Sequence, residues 1–264
     1  MSKLAFLFPG QASQYPGMGR DLAENFAESR AVFEEADAAL GFAISKMCFE
    51  GTEEALKLTE NQQPAILTVS VAAYRALESR GIQPDFAAGH SLGEYSALVA
   101  AGALEFADAV KLVRKRGRYM QEAVPAGEGA MAAILGLSPA DVAEVCKKAA
   151  EKEVVSPANL NSPEQTVIAG SAAAVKRAVE IASQSGAKRA VILAVSAPFH
   201  CAMLMPALRR LEPDLRATKF GELRFPVITN VDAEAVTTGD EARDRKSTRL
   251  NSSHYSPSRM PSSA

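Results

Sequence analysis

Apolar positions come first as short runs and then at helical spacing. Residues 4–8 (LAFLF) form a compact apolar run stopped by Pro9-Gly10, which predicts a strand followed by a Gly- and Gln-rich loop to about residue 19. Helical periodicity follows over 21–40 and again over 63–80. A short apolar strand is predicted at 86–88, then a tight turn through GHSLGE, a helix at 92–101 and a further helix from 106 to about 124. Strands alternating with helices predict an α/β core around a parallel sheet.

The pattern changes between 129 and 196. A strand (130–135), a helix (139–149), two strands (154–159 and 165–169), a helix (173–185) and a strand (190–195) follow in order. That order, βαββαβ, predicts a ferredoxin-like small subdomain at 128–196. It would be inserted into a larger subdomain made of 1–127 and 197–243. Beyond the insert, 198–215 reads as helix and 225–230 as a strand returning to the main sheet, with irregular sequence after it.

Composition breaks sharply at the end of the chain. The last twenty residues hold seven Ser, four Lys or Arg and no acidic residue. Residues 244–264 are therefore expected to be a non-native or disordered tail standing where the C-terminal part of the larger subdomain would be.

Bulk properties exclude several function classes. A chain of 264 residues with 47% hydrophobic residues buries a sizeable core. With 29 basic against 31 acidic residues the net charge is -2, so no overall field draws in nucleic acid or an anionic membrane. Cys48, Cys146 and Cys201 are an odd set without CxxC spacing, which argues against a disulfide framework and a zinc site and for a reducing compartment. MSKLAFLFPG lacks the long apolar region and cleavage site of a signal peptide, and no apolar stretch approaches the roughly 18 residues that span a bilayer. A soluble, cytoplasmic, monomeric protein without metal is expected.

Gly89-His90-Ser91-Leu92-Gly93 matches GxSxG, whose small residues permit a strained strand-to-helix turn that presents a serine hydroxyl at a helix N-terminus. The plain alternative is a glycine-flanked helix start that Ser91 merely caps. A nucleophilic serine needs a base. His254 lies in the tail and His90 adjoins Ser91, which leaves His200, although a lone His after Pro198-Phe199 reads equally well as packing. Cys201 reads as a buried packing residue rather than a nucleophile. Gln11 follows the first strand, where loops of open α/β sheets build sites, so its backbone N–H is a candidate oxyanion donor. Neither GxGxxG nor GxxxxGK[ST] is present. Arg116 sits in RKRGR, which composition alone reads as a solvated helix face.

Taken together, several segments are more specific than GxSxG: FPGQASQYPGMG from Phe8, QQPAI from Gln62, GHSLGEYSALVAAG from Gly89, RGRYMQEAVPAGEGAMAAILG from Arg116, NLNSPEQTVIAG from Asn159 and SAPFHCAMLMPA from Ser196. From about residue 4 to 236 the chain resembles the malonyl-CoA:acyl carrier protein transacylase family of fatty acid synthesis and the similar acyltransferase domains of polyketide synthases. The resemblance implies an α/β-hydrolase-like large subdomain carrying the small one. It makes Ser91 the nucleophile, His200 the base, Gln11 and Leu92 the oxyanion donors and Arg116 the partner of the malonyl carboxylate. It places Gln63, His90, Asn161 and Phe199 along the pocket, with Phe199 the version that goes with unbranched malonyl.

The implied substrates are malonyl-CoA and the phosphopantetheine thiol of an acyl carrier protein, with no further cofactor. An acidic carrier protein would meet a basic rim for which Lys115, Arg118, Lys188 and Arg189 are candidates. Family members continue through a segment that orients the histidine by a backbone carbonyl. Its expected replacement by the tail would leave an impaired enzyme or a binding module. The competing enzyme reading is a serine hydrolase or thioesterase of α/β-hydrolase type. It would need an acid such as Asp108 or Asp141 between Ser91 and His200 and an HGGG-like loop, which this chain lacks.

Overall fold

The alternating runs fold into an α/β protein of helices and mixed sheets. The structure is a computed structural model. It describes residues 3–125, 127–193, 195 and 197–251, with side chains to 246 in the last helix. His254 lies outside the described residues.

The chain runs through β1 (Ala5–Phe8), α1 (Arg20–Asn25), α2 (Ala27–Leu40), α3 (Ile44–Glu50), α4 (Glu53–Lys57), α5 (Thr59–Glu78), β2 (Phe86–Gly89), α6 (Gly93–Ala100) and α7 (Phe106–Ala123). Next come β3 (Gly129–Leu135), α8 (Pro139–Ala150), β4 (Val155–Ser162), β5 (Gln165–Ser171), α9 (Ala172–Gln184) and β6 (Arg189–Ile192). A 3-10 turn (Ala202–Leu204), α10 (Met205–Ala217), β7 (Val227–Ile228), β8 (Ala235–Val236) and α11 (Gly239–Asn251) complete it.

Two compact units result, one from the chain up to Arg118 together with Leu211–Arg249, the other around Tyr119–Arg210. In the first, the sheet order is β1-β2-β7-β8. β1, β2 and β7 are parallel, whereas β8 runs antiparallel to β7, so the sheet expected to be parallel is mixed at one edge. Pairing of Phe8 with Gly89 and of Ala88 with Ile228 makes the three parallel strands end together. Every residue of α6 is buried, as suits a central helix that is apolar almost all round. The ring of Tyr74 on α5 meets Phe6 and Phe8 edge-on at 6.1 and 6.5 Å.

Several local readings change. The helical run at 21–40 is two helices, because Phe26 is extended at φ -130° between them. The compositional break near Arg245 does not end the helix: α11 continues to Asn251, and Lys246 is buried with its ammonium 3.0 Å from Glu94 and 4.1 Å over the Tyr95 ring.

The second unit holds an antiparallel sheet of order β4-β5-β3-β6. Side-chain alternation along β3 feeds its two faces. Ala132 and Ile134 join Ile168 in a cluster with α8 and α9, including Val142, Val145, Val175 and Ala178. Met131 and Ala133 join Val167 and Ala169 in a second cluster with Met120, Phe199, Cys201 and Ala207. This second cluster is why residues 119–127 and 197–210 belong to this unit rather than to the larger one. The helix expected from 198 begins only at Met205: His200 has φ 62° and Cys201 is extended.

Candidate active site

Three loops converge where the parallel strands of the first unit end. The β1 loop carries Gln11, the β2 turn carries Ser91, and the β7 loop carries Asn230. Ser91 sits at φ 53°, a left-handed conformation that a residue with a Cβ adopts only when its surroundings enforce it. The enforcement is steric. A Cβ on Gly89 would lie 2.0 Å from the Gly93 carbonyl carbon, and one on Gly93 would lie 2.1 Å from the Phe8 carbonyl oxygen. Strand, turn and helix therefore pack at a distance only glycine allows. Gly89→Ala is expected to cost at least about 3 kcal/mol, read from the urea unfolding midpoint.

Ser91 is 6% exposed, and its N–H donates to Asn230 Oδ1 at 2.6 Å. His90 is exposed and its N–H donates to the Phe8 carbonyl at 3.1 Å, which fixes the turn against β1. Leu92 is buried at the N-terminal end of α6, where backbone N–H groups and the helix dipole favour negative charge. Gln11 is half-buried and its side-chain amide donates to Gln62 Oε1 of α5.

Arg116 is 4% exposed on α7. A Cβ on the neighbouring Gly117 would lie 2.4 Å from the Thr59 carbonyl oxygen, so glycine there lets α7 close onto the start of α5. Arg116 Nη1 donates to Gln63 Oε1 at 2.6 Å and Nη2 donates to Ser91 Oγ at 3.1 Å. Burial pushes the guanidinium pKa down, with Tyr95 and Glu94 opposing. A buried cation beside neutral oxygens is costly unless an anion joins it. The solvated-face reading therefore fails for Arg116, whereas Lys115 is half-exposed and pairs with Asp214 at 2.5 Å.

The second unit carries His200, Phe199 and Asn161. Phe199 and Cys201 are both buried in one cluster, and between them the partly exposed His200 takes its left-handed conformation. Asn161 is exposed near the end of β4. Asp141, a candidate third member for a hydrolase, is exposed and hydrogen-bonded to Ser138 at the start of α8, while Asp108 is exposed in the first turn of α7.

Cys201 follows His200 in a non-helical stretch, and its thiol donates to the Pro198 carbonyl at 3.2 Å. Burial pushes that thiol to about 11, and those of Cys48 and Cys146 to about 12. At pH 8 the Cys201 thiolate fraction is about 10⁻³. Iodoacetamide is accordingly expected to leave all three cysteines unmodified in the folded chain and to modify all three in urea, as counted by mass.

Sequence patterns had not singled out Asn230 or Glu94. Asn230 had read as the last residue of a strand, and its only signal was that position at a strand end. Among the described residues no group of three or more His, Cys, Asp or Glu is arranged to hold a metal ion, and no helix is long and apolar enough to cross a membrane.

Comparison with known proteins bears on this geometry. The acyl transferase domain model matches residues 5–256. The malonyl CoA-acyl carrier protein transacylase of Bacillus subtilis is 50% identical over 264 residues, covering all of this chain and 82% of that protein. The structure of the malonyl CoA-acyl carrier protein transacylase of Coxiella burnetii superposes with a TM-score of 0.91 at 46% identity, covering 94% of this chain and 79% of that one. A malonyl-transacylase solved in complex with its type II PKS acyl-carrier protein also gives 0.91, at 45% identity, over 94% of this chain and 81% of that one. With nearly the whole chain matched by the family model, this protein belongs to the acyl transferase domain family.

Proposed function

We propose that this chain transfers a malonyl group from malonyl-CoA to the phosphopantetheine thiol of an acyl carrier protein, through an ester on Ser91, and so supplies fatty acid synthesis. The observation that carries the reading is the buried Arg116 fork, hydrogen-bonded to the Ser91 hydroxyl oxygen and to Gln63. A planar guanidinium there suits bidentate capture of the free carboxylate of a malonyl group, and holds that group beside the serine. The transacylase relatives support the same donor and acceptor.

In the first half-reaction His200 takes the Ser91 proton as Oγ attacks the thioester carbonyl. The N–H of Ser91 is committed to Asn230. The family resemblance assigns the tetrahedral oxyanion to the N–H groups of Leu92 and Gln11, and the engagement of the Ser91 N–H is compatible with that assignment. Collapse breaks the C–S bond, and His200 returns the proton to the departing coenzyme A sulfur. In the second half the carrier thiol gives its proton to His200 and attacks the malonyl ester; collapse breaks the bond to Ser91 Oγ, and His200 returns the proton to that oxygen. Bonds are exchanged without any change of oxidation state, so the cycle calls for no redox cofactor.

The first unit is α/β-hydrolase-like in presenting Ser91 on a turn between strand and helix, and the antiparallel order β4-β5-β3-β6 supports a ferredoxin-like second unit.

Initial velocities against malonyl-CoA at several concentrations of holo carrier protein test the function. Parallel double-reciprocal lines with malonyl-carrier as product are expected. Free malonate at the same rate with or without carrier protein would instead identify a thioesterase.

A further inference from the structure

Asn230 lies 139 residues from Ser91 in sequence, yet its side chain grips both sides of the β2 turn. Its Nδ2 donates to the Gly89 carbonyl at 2.6 Å, and its Oδ1 accepts from the Ser91 N–H at 2.6 Å. The backbone leaves no choice of amide orientation, because a carbonyl only accepts and an N–H only donates. The Asn230 backbone N–H donates in turn to Glu94 Oε2 at 3.1 Å, and Glu94 is buried in the first turn of α6. One carboxamide thus spans the peptide before the turn and the peptide of the serine itself, while Glu94 ties the clamp to the helix that follows.

β7 is too short to pair along this turn, since its register with β2 covers only Ala87–Val227 and Ala88–Ile228. The Asn230 side chain continues the pairing where the backbone can no longer do so. The turn needs this support because Ser91 at φ 53° is held where an L-residue is unfavourable.

We propose that Asn230 is a positioning residue for the acyl-transfer reaction: its carboxamide holds Ser91 in the left-handed conformation and fixes the direction of its hydroxyl. By occupying the Ser91 N–H it also leaves the oxyanion to the next residue along the chain. This rests on the reading of Ser91 as the acylated residue.

The test is single-turnover loading of the full 264-residue chain with excess malonyl-CoA, quenched over time and read by intact mass. The rate constant reports placement of the serine, and the amplitude reports the fraction of competent molecules. Asn230→Ala removes both hydrogen bonds. Asn230→Asp is nearly isosteric, keeps the acceptor and loses the donor to Gly89, so it decides the matter where the alanine variant does not fold. Both are expected to lower the rate constant by about 10- to 100-fold at near-parental amplitude, because small misplacement of a reacting group costs that much. The malonyl-CoA concentration giving half-maximal rate should stay within about twofold of the parent's.

A rate constant within about twofold of the parent's, with or without a fall in amplitude, would make Asn230 merely structural and overturn the proposal. No loading by the parent chain would overturn this proposal and the Ser91 reading together, whereas normal loading by parent and variants overturns this one alone.

Discussion

Replacing Arg116 by alanine is expected to lower kcat/KM for malonyl-CoA by about 10²- to 10³-fold and that for acetyl-CoA by a much smaller factor. The guanidinium is almost fully buried and spends its hydrogen bonds on the neutral oxygens of Gln63 and Ser91. Such a cation is costly in the resting protein, and its cost is relieved when a carboxylate arrives. Malonyl-CoA brings that carboxylate and acetyl-CoA does not, so the preference is expected to depend on this one side chain.

Stability should move differently from activity. Arg116→Met keeps much of the volume and removes the buried charge, so its Tm is expected to equal or exceed the parent's while malonyl transfer falls. A large drop in Tm together with unaltered discrimination against acetyl would mean that Arg116 serves packing rather than substrate. Steady-state kinetics with the two thioesters and thermal unfolding of the same preparations check both halves.

Ser91→Ala is expected to reduce transfer by at least about 10⁴-fold and to leave the fold intact. The turn is held by the close contacts of Gly89 and Gly93, by the His90 backbone bond and by the Asn230 carboxamide, none of which uses the serine hydroxyl. Alanine also relieves nothing at φ 53°, since its Cβ meets the same restriction. The loss should therefore be chemical, with malonyl-CoA still binding through Arg116. Transfer at more than about a tenth of the parental rate would contradict covalent carriage on this residue.

Local patterns made much of the molecule legible. The apolar runs at β1 and β2 and the glycines flanking Ser91 marked the strand-turn-helix that builds the site, and period-2 and period-3.6 alternation marked each element from β3 to β6 in order. What stayed hidden depended on contacts distant in sequence. Phe26 interrupts a continuous helical pattern without a proline or glycine to announce it. The non-helical stretch at 198–201 is set by Phe199 and Cys201 entering the sheet cluster of the second unit. Asn230 acquires its meaning only when the register of β7 with β2 brings it to the turn.

Arg116 is the instructive intermediate. Within RKRGR its composition reads as solvated, but it falls three residues after Val113 and seven after Ala109, on the face of α7 that is buried. Helical spacing therefore carries a signal that charge density conceals. The buried Lys246–Glu94 pair shows the reverse, since a basic, serine-rich composition gave no sign that α11 continues there.

Covalent carriage of malonyl on Ser91 is read from the intact mass of the chain after brief exposure to malonyl-CoA or, separately, acetyl-CoA, with peptide mapping of any adduct. One malonyl group is expected on the peptide containing Ser91, with little acetyl adduct, and neither on Ser91→Ala. Equal loading of acetyl and malonyl, or an adduct on another residue, would contradict this expectation.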